Sequence, residues 1–566
     1  MNEFIRKIFF TILFPLYFVL FNSRLSAQHE NVPVDHNVYT FLKEMKVKGI
    51  LDYVHDDNPS MSRKEVNDYL EIILDKQSEL SGTESKILKK YIDEFSLEKA
   101  DSTNTFQLVN GNNNYSNRFS DLFSDKIKHF YSYRDGNINF YFEIIGRGLY
   151  GQNFKPFINN SELYDIGFRG RGTVLDKVGY SLTVQKGGVS GSQDLAVSFD
   201  PRLKYNFKFY EKLENIGNYD FTEGYLRFFA QPAEDMNIAF QIGREKLKLG
   251  YGYGSRFVLS GDHPLLDFIK IDFNYGVFSF TSLHGSTVGE FNIDRDENYT
   301  KMFAYNKFKL SLDNLFDIGF GESIIYSGRG IDLAYLNPFA FYKFVEMSLQ
   351  DRDNGLVFLD FQSRFLKNLE LQATFFMDEN IISHLQEMDL FSNKTAYQLG
   401  LFWYEPVSLN DLSLVFEYTK IRPYVYSHVN YKNSYTAHGE LLGHRIGPNA
   451  DEIYTAAAYN INDWIRGKFE YQFIRSGENM FDALGNVVFN SGGDAFLAHR
   501  IDIDAKHVAF LDGERINQNI FTFQLQFEPI REIYFDILYK YIIRKNITKD
   551  LTDYSSYGFI RMNLEI

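Results

Sequence analysis

The sequence predicts a mainly β protein, a transmembrane antiparallel β-barrel of about 18 strands with a small N-terminal α-helical module. The chain of 566 residues contains 56 Phe and 39 Tyr, and after residue 27 it has no apolar run long enough for a membrane-spanning helix. From about residue 125 its hydrophobic pattern alternates with a period of two, which is typical of strands. Because only helices and closed barrels satisfy their backbone polar groups in lipid, membrane embedding would require a closed barrel.

Residues 1–27 have the pattern of a secretory signal peptide. Arg6 and Lys7 precede an almost wholly apolar stretch over residues 8–21, and Leu25-Ser26-Ala27 supplies a small-residue cleavage site. The alternative is an uncleaved anchor, but the apolar stretch is short compared with the roughly 20 residues of a spanning helix. We therefore expect export and cleavage.

Residues 28–100 are expected to form the helical module, and residues 101–124 a linker rich in Asn. Three segments space apolar residues at i, i+3, i+4 and i+7, as one buried helix face does. Ser62 with Glu65, and Ser81 with Glu84, match capping boxes, and Gly49 is placed to end the first helix. The module either packs on the next domain, where it could plug the barrel, or serves as a separate partner-binding unit. The apolar faces contain Val38, Phe41, Leu42 and Met45, then Val66, Tyr69, Leu70 and Ile73, then Leu88, Tyr91, Ile92 and Phe95.

Residues 125–566 are expected to form the barrel. The C-terminus shows the alternation clearly, since apolar Ile560, Met562 and Leu564 are separated by Arg561 and Asn563. At about 50 residues for each pair of strands with one short turn and one long loop, this region would hold about nine hairpins, or about 18 strands. A secreted soluble β-sandwich or propeller is the rival, but it seldom needs so many of the aromatic residues that suit membrane interfaces.

Composition excludes several classes of site and partner. With no Cys, the chain has no disulfide, thiolate zinc site, iron–sulfur cluster or catalytic thiol. Its formal net charge of −15 disfavours nucleic acid as a partner, because binding the phosphate backbone needs a basic face.

The sequence contains no catalytic signature, so we predict that the protein is not an enzyme and has no cofactor or metal. Ser260, Asp262 and His263 are the residue types of a hydrolytic triad, but triads are assembled from distant segments and G-x-S-x-G is absent. His438 and His444 are six residues apart, which is a poor metal spacing on a helix.

Carboxylates near strand ends are the remaining candidates for chemistry. Asp378 and Glu379 end a predicted strand, and Glu322 and Glu346 flank Asn337 and Pro338. All four carboxylates are predicted to face the lumen, as part of a polar interior or, in an outer-membrane hydrolase, as a catalytic pair.

A long loop predicted from residue 422 to residue 445 is the candidate glycan-binding segment. Aromatic rings stack on the apolar faces of sugars, and Arg and His can bond hydroxyls or uronate carboxylates. The same residue types also occur in the aromatic girdle of a barrel, so both interpretations stay open. The candidate glycan-binding residues are Arg422, Tyr424, Tyr426, His428, Tyr431, Tyr435, His438, His444 and Arg445.

Several stretches resemble one known family. They include GFGESIIYSGRGIDLAYLNPFAFYKFVE from residue 319, QLGLFWYEP from residue 398 and YTAHGELLGHRIGPNADEI from residue 435, with VPVDHNVYTFLKEM near the N-terminus. This resembles the capsule-assembly Wzi family of outer-membrane proteins, in particular its Bacteroidetes-type members. Residues 243–264 are similar to a glycine-rich stretch of the family, although the Trp expected near Leu249 or Tyr251 is missing. The resemblance implies a monomeric barrel, plugged by helical elements, that helps to hold capsular polysaccharide at the cell surface.

Together these features predict a non-enzymatic outer-membrane barrel for surface attachment or assembly of a capsular or extracellular polysaccharide. Its expected partners are outer-membrane lipid, the polysaccharide and the polysaccharide export machinery. The alternative is a porin-like channel for small solutes, which would need a water-filled lumen.

Overall fold

The computed structural model describes residues 28–206, 217–233, 235–290, 295–312, 315–378 and 386–566. Long strands form a single closed antiparallel barrel of 18 strands, which confirms the predicted fold class. The predicted signal peptide, residues 1–27, lies outside the described residues. The barrel strands are β1 (Ile138–Lys155), β2 (Asn159–Val174), β3 (Val178–Gly191), β4 (Asn218–Ala233), β5 (Met236–Glu245), β6 (Leu266–Tyr275), β7 (Phe278–Val288), β8 (Thr300–Leu312), β9 (Phe316–Ser327), β10 (Asn354–Ser363), β11 (Leu369–Asp378), β12 (Thr395–Tyr404), β13 (Leu412–Ile421), β14 (Ala450–Asn460), β15 (Ile465–Glu478), β16 (Glu514–Ile530), β17 (Ile533–Asn546) and β18 (Leu551–Glu565).

Each strand pairs with its neighbours in sequence, and the last strand closes the barrel on the first. In this closing pair Ile560 of β18 lies opposite Tyr150 of β1, and a short strand, Tyr131–Asp135, pairs with the beginning of β1. Connections at one end of the barrel are tight, as at residues 276–277, and we call it the short-turn end. The other end, the long-loop end, has connections as long as residues 479–513. Both chain ends of the barrel lie at the short-turn end.

The two faces of the wall differ as the alternation predicts. On β12 and β13, Leu399 and Phe416 point outward and are exposed, whereas their neighbours Gln398 and Glu417 point into the lumen and are buried. Such an outward apolar band suits lipid, and polar inward side chains can bond to whatever fills the lumen.

Three α-helices form the N-terminal module, α1 (Val38–Lys48), α2 (Arg63–Asp75) and α3 (Gly82–Phe95). Ser62 and Ser81 begin the second and third helices with the predicted capping boxes, which satisfy amide donors at the first turn. Gly49 ends the first helix with φ 87°, a conformation that favours glycine. No helix among the described residues is both long enough and apolar enough to cross a membrane.

The helical module sits inside the barrel mouth at the short-turn end. Its apolar core, which includes Val38 and Leu70, packs against Phe402 and Tyr404 of β12. Polar contacts also join the module to the wall. The Lys43 ammonium group, for example, pairs with Glu370 of β11. Arg531, between β16 and β17, bonds to Glu94 of α3 at 2.9 Å. The module therefore covers the lumen from this end.

Two connections from the long-loop end fold back into the lumen. Loop 246–265 and loop 422–449 share one apolar cluster with inward residues of strands β6 to β13. Phe257 and Tyr435 come from the two loops, and Tyr305 comes from β8. The Gly250 amide also donates to the Asp57 carbonyl of the helical module at 3.0 Å. These contacts join the in-folded loops to the module across the lumen.

Candidate functional site

A cavity of about 870 Å³ lies inside the barrel on the side of strands β1 to β7. Its volume is within the range of roughly 300–1,000 Å³ that is usual for ligand pockets. Its lining includes residues 31 and 33–35 of the N-terminal segment and residues 261–265. Phe199, the last residue of the short helix α4 (Gln193–Phe199), also lines it, together with residues 200–202, 205 and 206. We call this space the luminal cavity.

The charged lining of the luminal cavity combines arginines with a similar number of carboxylates. Strand alternation explains part of the pattern, because Arg169 and Arg171 are two residues apart on β2 and so point to the same face. Their carboxylate partners include Glu143 of β1, which accepts from the Arg171 Nη2 at 2.6 Å. The barrel thus brings together guanidinium groups from separate strands. The lining arginines include Arg147, Arg169, Arg171, Arg202, Arg244 and Arg561.

Buried ion pairs hold one wall of the cavity in place. The Arg147 side chain donates from Nε to Asp165 at 2.6 Å and from Nη1 to Asp200 at 2.5 Å, and Tyr219 lies 3.0 Å from its Nη2. Asp200 belongs to the connection between β3 and β4. Arg147 therefore ties this connection to the barrel wall, and its own donors are committed to that task.

Arg202 is one of the lining guanidinium groups that can meet a ligand. It is partly exposed, bonds to both oxygens of Asp200 at 3.0 and 2.8 Å, and lies 4.3 Å from the centroid of the Phe221 ring. Nearby, the Tyr205 hydroxyl donates to the Asp262 carbonyl at 2.6 Å. Flat aromatic and guanidinium surfaces beside hydrogen-bonding groups can receive both the apolar face and the hydroxyls of a sugar.

The charge of Asp200 is stabilised by these arginines. Burial raises the pKa of Asp200, but the nearby Arg202 and Arg147 outweigh burial and hold that pKa well below its usual range. Asp35 behaves in the same way. Burial raises its pKa, but the nearby Lys246 and Lys248 outweigh burial, so the pKa of Asp35 lies below its usual range. Asp200 and Asp35 are therefore ionised at neutral pH, each beside its basic partners.

The nine residues predicted to bind glycan lie in the in-folded loop 422–449. Seven of them are buried, namely Arg422, Tyr424, Tyr426, His428, Tyr435, His438 and His444. The Tyr426 hydroxyl donates to the Phe257 carbonyl at 3.1 Å and the Tyr435 hydroxyl donates to the Val258 carbonyl at 2.8 Å, so both rings join this loop to loop 246–265. Arg445 is partly exposed and pairs with Glu452 at 2.8 Å. Tyr431, 53% exposed, offers the most accessible ring of the nine, and glycan binding by this set stays a prediction.

The prediction that the four carboxylates face the lumen is wrong for Glu322. In β9, Asp317 and Ile325 point inward, and alternation places Glu322 on the outer face, where its carboxylate accepts from the Tyr342 amide at 2.8 Å. Glu346, in the connection after β9, also lies on the outer side of the barrel wall. Asp378 does point inward and accepts from the Tyr426 amide, whereas Glu379 lies outside the described residues.

The triad residue types near residue 260 do not form a triad. The Ser260 hydroxyl donates to the Leu442 carbonyl at 3.3 Å, and the His263 Nδ1 lies 2.7 Å from the Pro264 carbonyl. Both side chains therefore bond to backbone carbonyls of the in-folded loops and not to each other. Within the described residues, no group of three His, Asp or Glu side chains is placed to hold a metal ion.

Comparisons with known proteins place the chain in a family. Among solved structures, Wzi of Escherichia coli matches with a TM-score of 0.54 at 11% identity, covering 94% of this chain and 98% of that one, and is described as a carbohydrate-binding outer-membrane β-barrel involved in group 1 capsule assembly. OccK8 (OprE) of Pseudomonas aeruginosa gives a TM-score of 0.43 at 8% identity, covering 75% of this chain and 98% of that one.

OprD of Pseudomonas aeruginosa gives a TM-score of 0.41 at 8% identity, covering 75% of this chain and 95% of that one. A search of curated protein sequences finds no match. Residues 177–526, which are more than half of the chain, match the family described as "Capsule assembly protein Wzi". The protein therefore belongs to the Wzi family of capsule assembly proteins.

Proposed function

We propose that this protein is a non-enzymatic outer-membrane barrel that binds a capsular or extracellular polysaccharide and helps to attach or assemble it at the cell surface. Family membership and the description of Escherichia coli Wzi as a carbohydrate-binding barrel support this proposal. The apolar outer face and the export signal predicted for residues 1–27 support an outer-membrane location.

The luminal cavity is the observation that carries the proposal. It combines arginines on several elements with the rings of Phe199, Tyr205 and Phe221, and these are groups that bind sugars and their carboxylates. We infer that a segment of the polysaccharide enters the cavity from the long-loop end and lies against Arg202. Tyr431 would provide a second contact outside the cavity.

A solute channel is the less favoured alternative. The helical module covers the short-turn end, and loops 246–265 and 422–449 cross the interior. A wide water-filled path is therefore not expected. We further propose that the mature protein acts as a monomer together with the polysaccharide export machinery.

Binding of purified surface polysaccharide to the folded protein tests the cavity. We expect Arg202→Gln combined with Tyr205→Ala to weaken binding about tenfold or more, because charge-assisted bonds and aromatic contacts of roughly 1–3 kcal/mol are removed. Arg500→Gln, which changes an Arg–Asp pair in a loop remote in sequence from the cavity, is the matched control and should bind as the unchanged protein does. Equal affinity of all three proteins would contradict the cavity assignment.

The cellular role is tested by the partition of polysaccharide between cells and medium. Deletion of the protein should release polysaccharide into the medium at equal total amounts, and the doubly substituted protein should fail to restore attachment. The length distribution of polysaccharide incubated with pure protein should stay constant, whereas shortening would contradict the non-enzymatic role.

A further inference from the structure

Loop 328–353, which connects β9 to β10, packs on the outside of the barrel wall. It contains two short helices, α5 (Leu333–Leu336) and α6 (Tyr342–Ser348), and we call it the wall hairpin. Its buried residues Tyr335 and Tyr342 form an apolar cluster with Met302, Ala304 and Ile324 of the wall.

Strand alternation shows that this cluster lies on the outer face. On β8, Lys307 points inward and bonds to Asp57 of the module, whereas Phe308 points outward and is exposed. Residues 302, 304 and 306 share the face of Phe308, and their partners on β9 are residues 326, 324 and 322. The wall hairpin thus covers the side of β8 and β9 that would otherwise meet lipid.

The wall under the hairpin is unusually polar for an outer face. The Glu322 carboxylate accepts from the Tyr342 amide at 2.8 Å, and the Asn306 amide group donates to the Ala340 carbonyl at 3.4 Å. The Tyr326 hydroxyl accepts from the Asp332 amide at 2.9 Å. Polar groups on this face would be costly against hydrocarbon, and the hairpin supplies their partners.

The opposite face of the hairpin is apolar and uncovered. Leu333 is 77% exposed, Phe339 82% and Phe344 70%, and Leu336 and Met347 are exposed beside them. A loop in water would place its polar side outward. This loop does the reverse, with polar contacts toward the wall and large apolar side chains away from it, as expected of an element whose outer surroundings are apolar.

The exposed apolar face is continuous with the apolar band of the barrel. The Phe339 ring stacks on Phe280 of β7 with centroids 6.0 Å apart, and the Phe341 ring stacks on Phe320 of β9 at 5.7 Å. Phe280 also contacts the outward Phe308 at 4.5 Å. Since Phe280 is the third residue of β7 from the short-turn end, the hairpin extends down most of the wall height.

Several backbone amides of the hairpin have partners within the hairpin, which lowers the cost of placing them in hydrocarbon. The amides of Tyr335 and Leu336 donate to the Asp332 carbonyl, and the Ala340 amide donates to the Asn337 carbonyl. At the tip, the Phe339 amide donates to the Asn337 side chain at 3.1 Å. The hairpin can therefore lie in lipid without unpaired donors at these positions.

We propose that the wall hairpin is embedded in the membrane, with the acyl chains of the bilayer as the partner of its exposed apolar face. The loop is then part of the transmembrane surface of the protein and not an extracellular binding loop. This inference does not depend on glycan binding, because it rests only on the outer wall.

Spin labels on single cysteines test the proposal, because the chain has no natural Cys. Phe339→Cys and Phe344→Cys report on the hairpin, Leu399→Cys on the outward face of β12, and Leu484→Cys on a loop where the side chain is 86% exposed. Each labelled protein is reconstituted in vesicles of phosphatidylethanolamine and phosphatidylglycerol. Collision rates with oxygen, which concentrates in hydrocarbon, and with a water-soluble nickel chelate are then compared.

We expect the ratio of oxygen to nickel collisions at positions 339 and 344 to match that at 399 and to exceed that at 484 several-fold. Ratios like that at 484 would overturn the proposal by placing the hairpin face in water. Spin–spin broadening between chains at 339 or 344 would also overturn it, by showing a second copy on this face. Heat-modifiable mobility in gels confirms that each variant is folded before labelling.

Discussion

At the scale of single residues, buried ion pairs join the helical module to the wall. Asp57, in the connection before α2, pairs with Lys307 at 2.8 Å and with Lys309 of the same strand. Lys307 also pairs with Asp360 of β10 at 2.6 Å. Because these charges are removed from water, each group depends on its partners, and loss of one partner leaves an uncompensated charge.

Lys307→Met is expected to lower the free energy of unfolding by about 3–5 kcal/mol, the usual cost of breaking a buried pair. Lys186→Met is the matched control, since Lys186 forms an exposed pair with Asp220 at 3.4 Å and should cost below about 1 kcal/mol. Urea titration of both variants in lipid vesicles measures the difference. Equal losses would show that the Lys307 cluster contributes no more than a surface pair.

His29 should make the stability of the helical module inside the barrel decrease at acidic pH. Burial, together with Arg227, lowers the pKa of His29 from 6.5 to about 3. A histidine with a lowered pKa in the folded state contributes stability that is present above pH 6.5 and is lost as the pH falls. We expect a loss of roughly 1.4 kcal/mol per pH unit between these limits.

Hydrogen exchange of the module amides, corrected for the intrinsic effect of pH, measures this loss between pH 6.5 and pH 5. In His29→Gln the slope should be smaller, whereas His507→Gln, at an exposed position, should keep it. A slope that is the same in His29→Gln as in the unchanged protein would assign the acid sensitivity to other groups.

At the scale of elements, the wall strands follow their alternation closely except where another element covers them. Asn306 and Glu322 are polar side chains on an outward face, and both are bonded by the wall hairpin. The helices of the module depend instead on their ends, since the first amides of a helix have no partners within it.

Removal of a capping hydroxyl is expected to loosen helix α2. The Ser62 hydroxyl accepts from the Glu65 amide at 3.2 Å, so Ser62→Ala should lower the free energy of module opening by about 1 kcal/mol. Ser78→Ala changes an exposed serine outside the α-helices and serves as the control. Rates of native-state proteolysis within residues 28–100 give both values, and identical rates would contradict a capping role.

At the scale of the whole molecule, the closed lumen follows from the module at one end and the in-folded loops at the other. Alternating strands alone would form a wide pore at this strand number, because barrel diameter grows with the number of strands. The apolar clusters around Phe257 and around Leu70 replace that pore with protein.

Planar-bilayer recordings should therefore show little or no steady current through the intact protein. Removal of residues 28–96 should produce a current, since the lumen would lose its cover at the short-turn end. Refolding of this shortened chain is checked by heat-modifiable mobility. A large steady conductance of the intact protein would contradict a closed lumen and favour the channel alternative.

Local patterns were sufficient to predict the barrel, its strand number and the helix ends. Alternation such as that of Ile560 and Met562 is set by the two-residue repeat of a strand, and the Ser62 and Ser81 caps act within four residues. Arg169 and Arg171 offered a similar signal for the luminal cavity, since both must share one face. Arg202 and Tyr205 gave no such signal, because the contact of Arg202 with Phe221 and that of Tyr205 with Asp262 depend on how a connection folds.

Neighbours along the chain decide which segments become strands and helices, and these choices could therefore be predicted from the amino-acid sequence. The side of the wall that a connection covers is set by packing in three dimensions, which buries Tyr426 and Tyr435 inside the lumen and leaves Glu322 outside it. Such choices depend on contacts between residues far apart in sequence, as between Asn306 and Ala340, and a repeat of two residues carries no information about them.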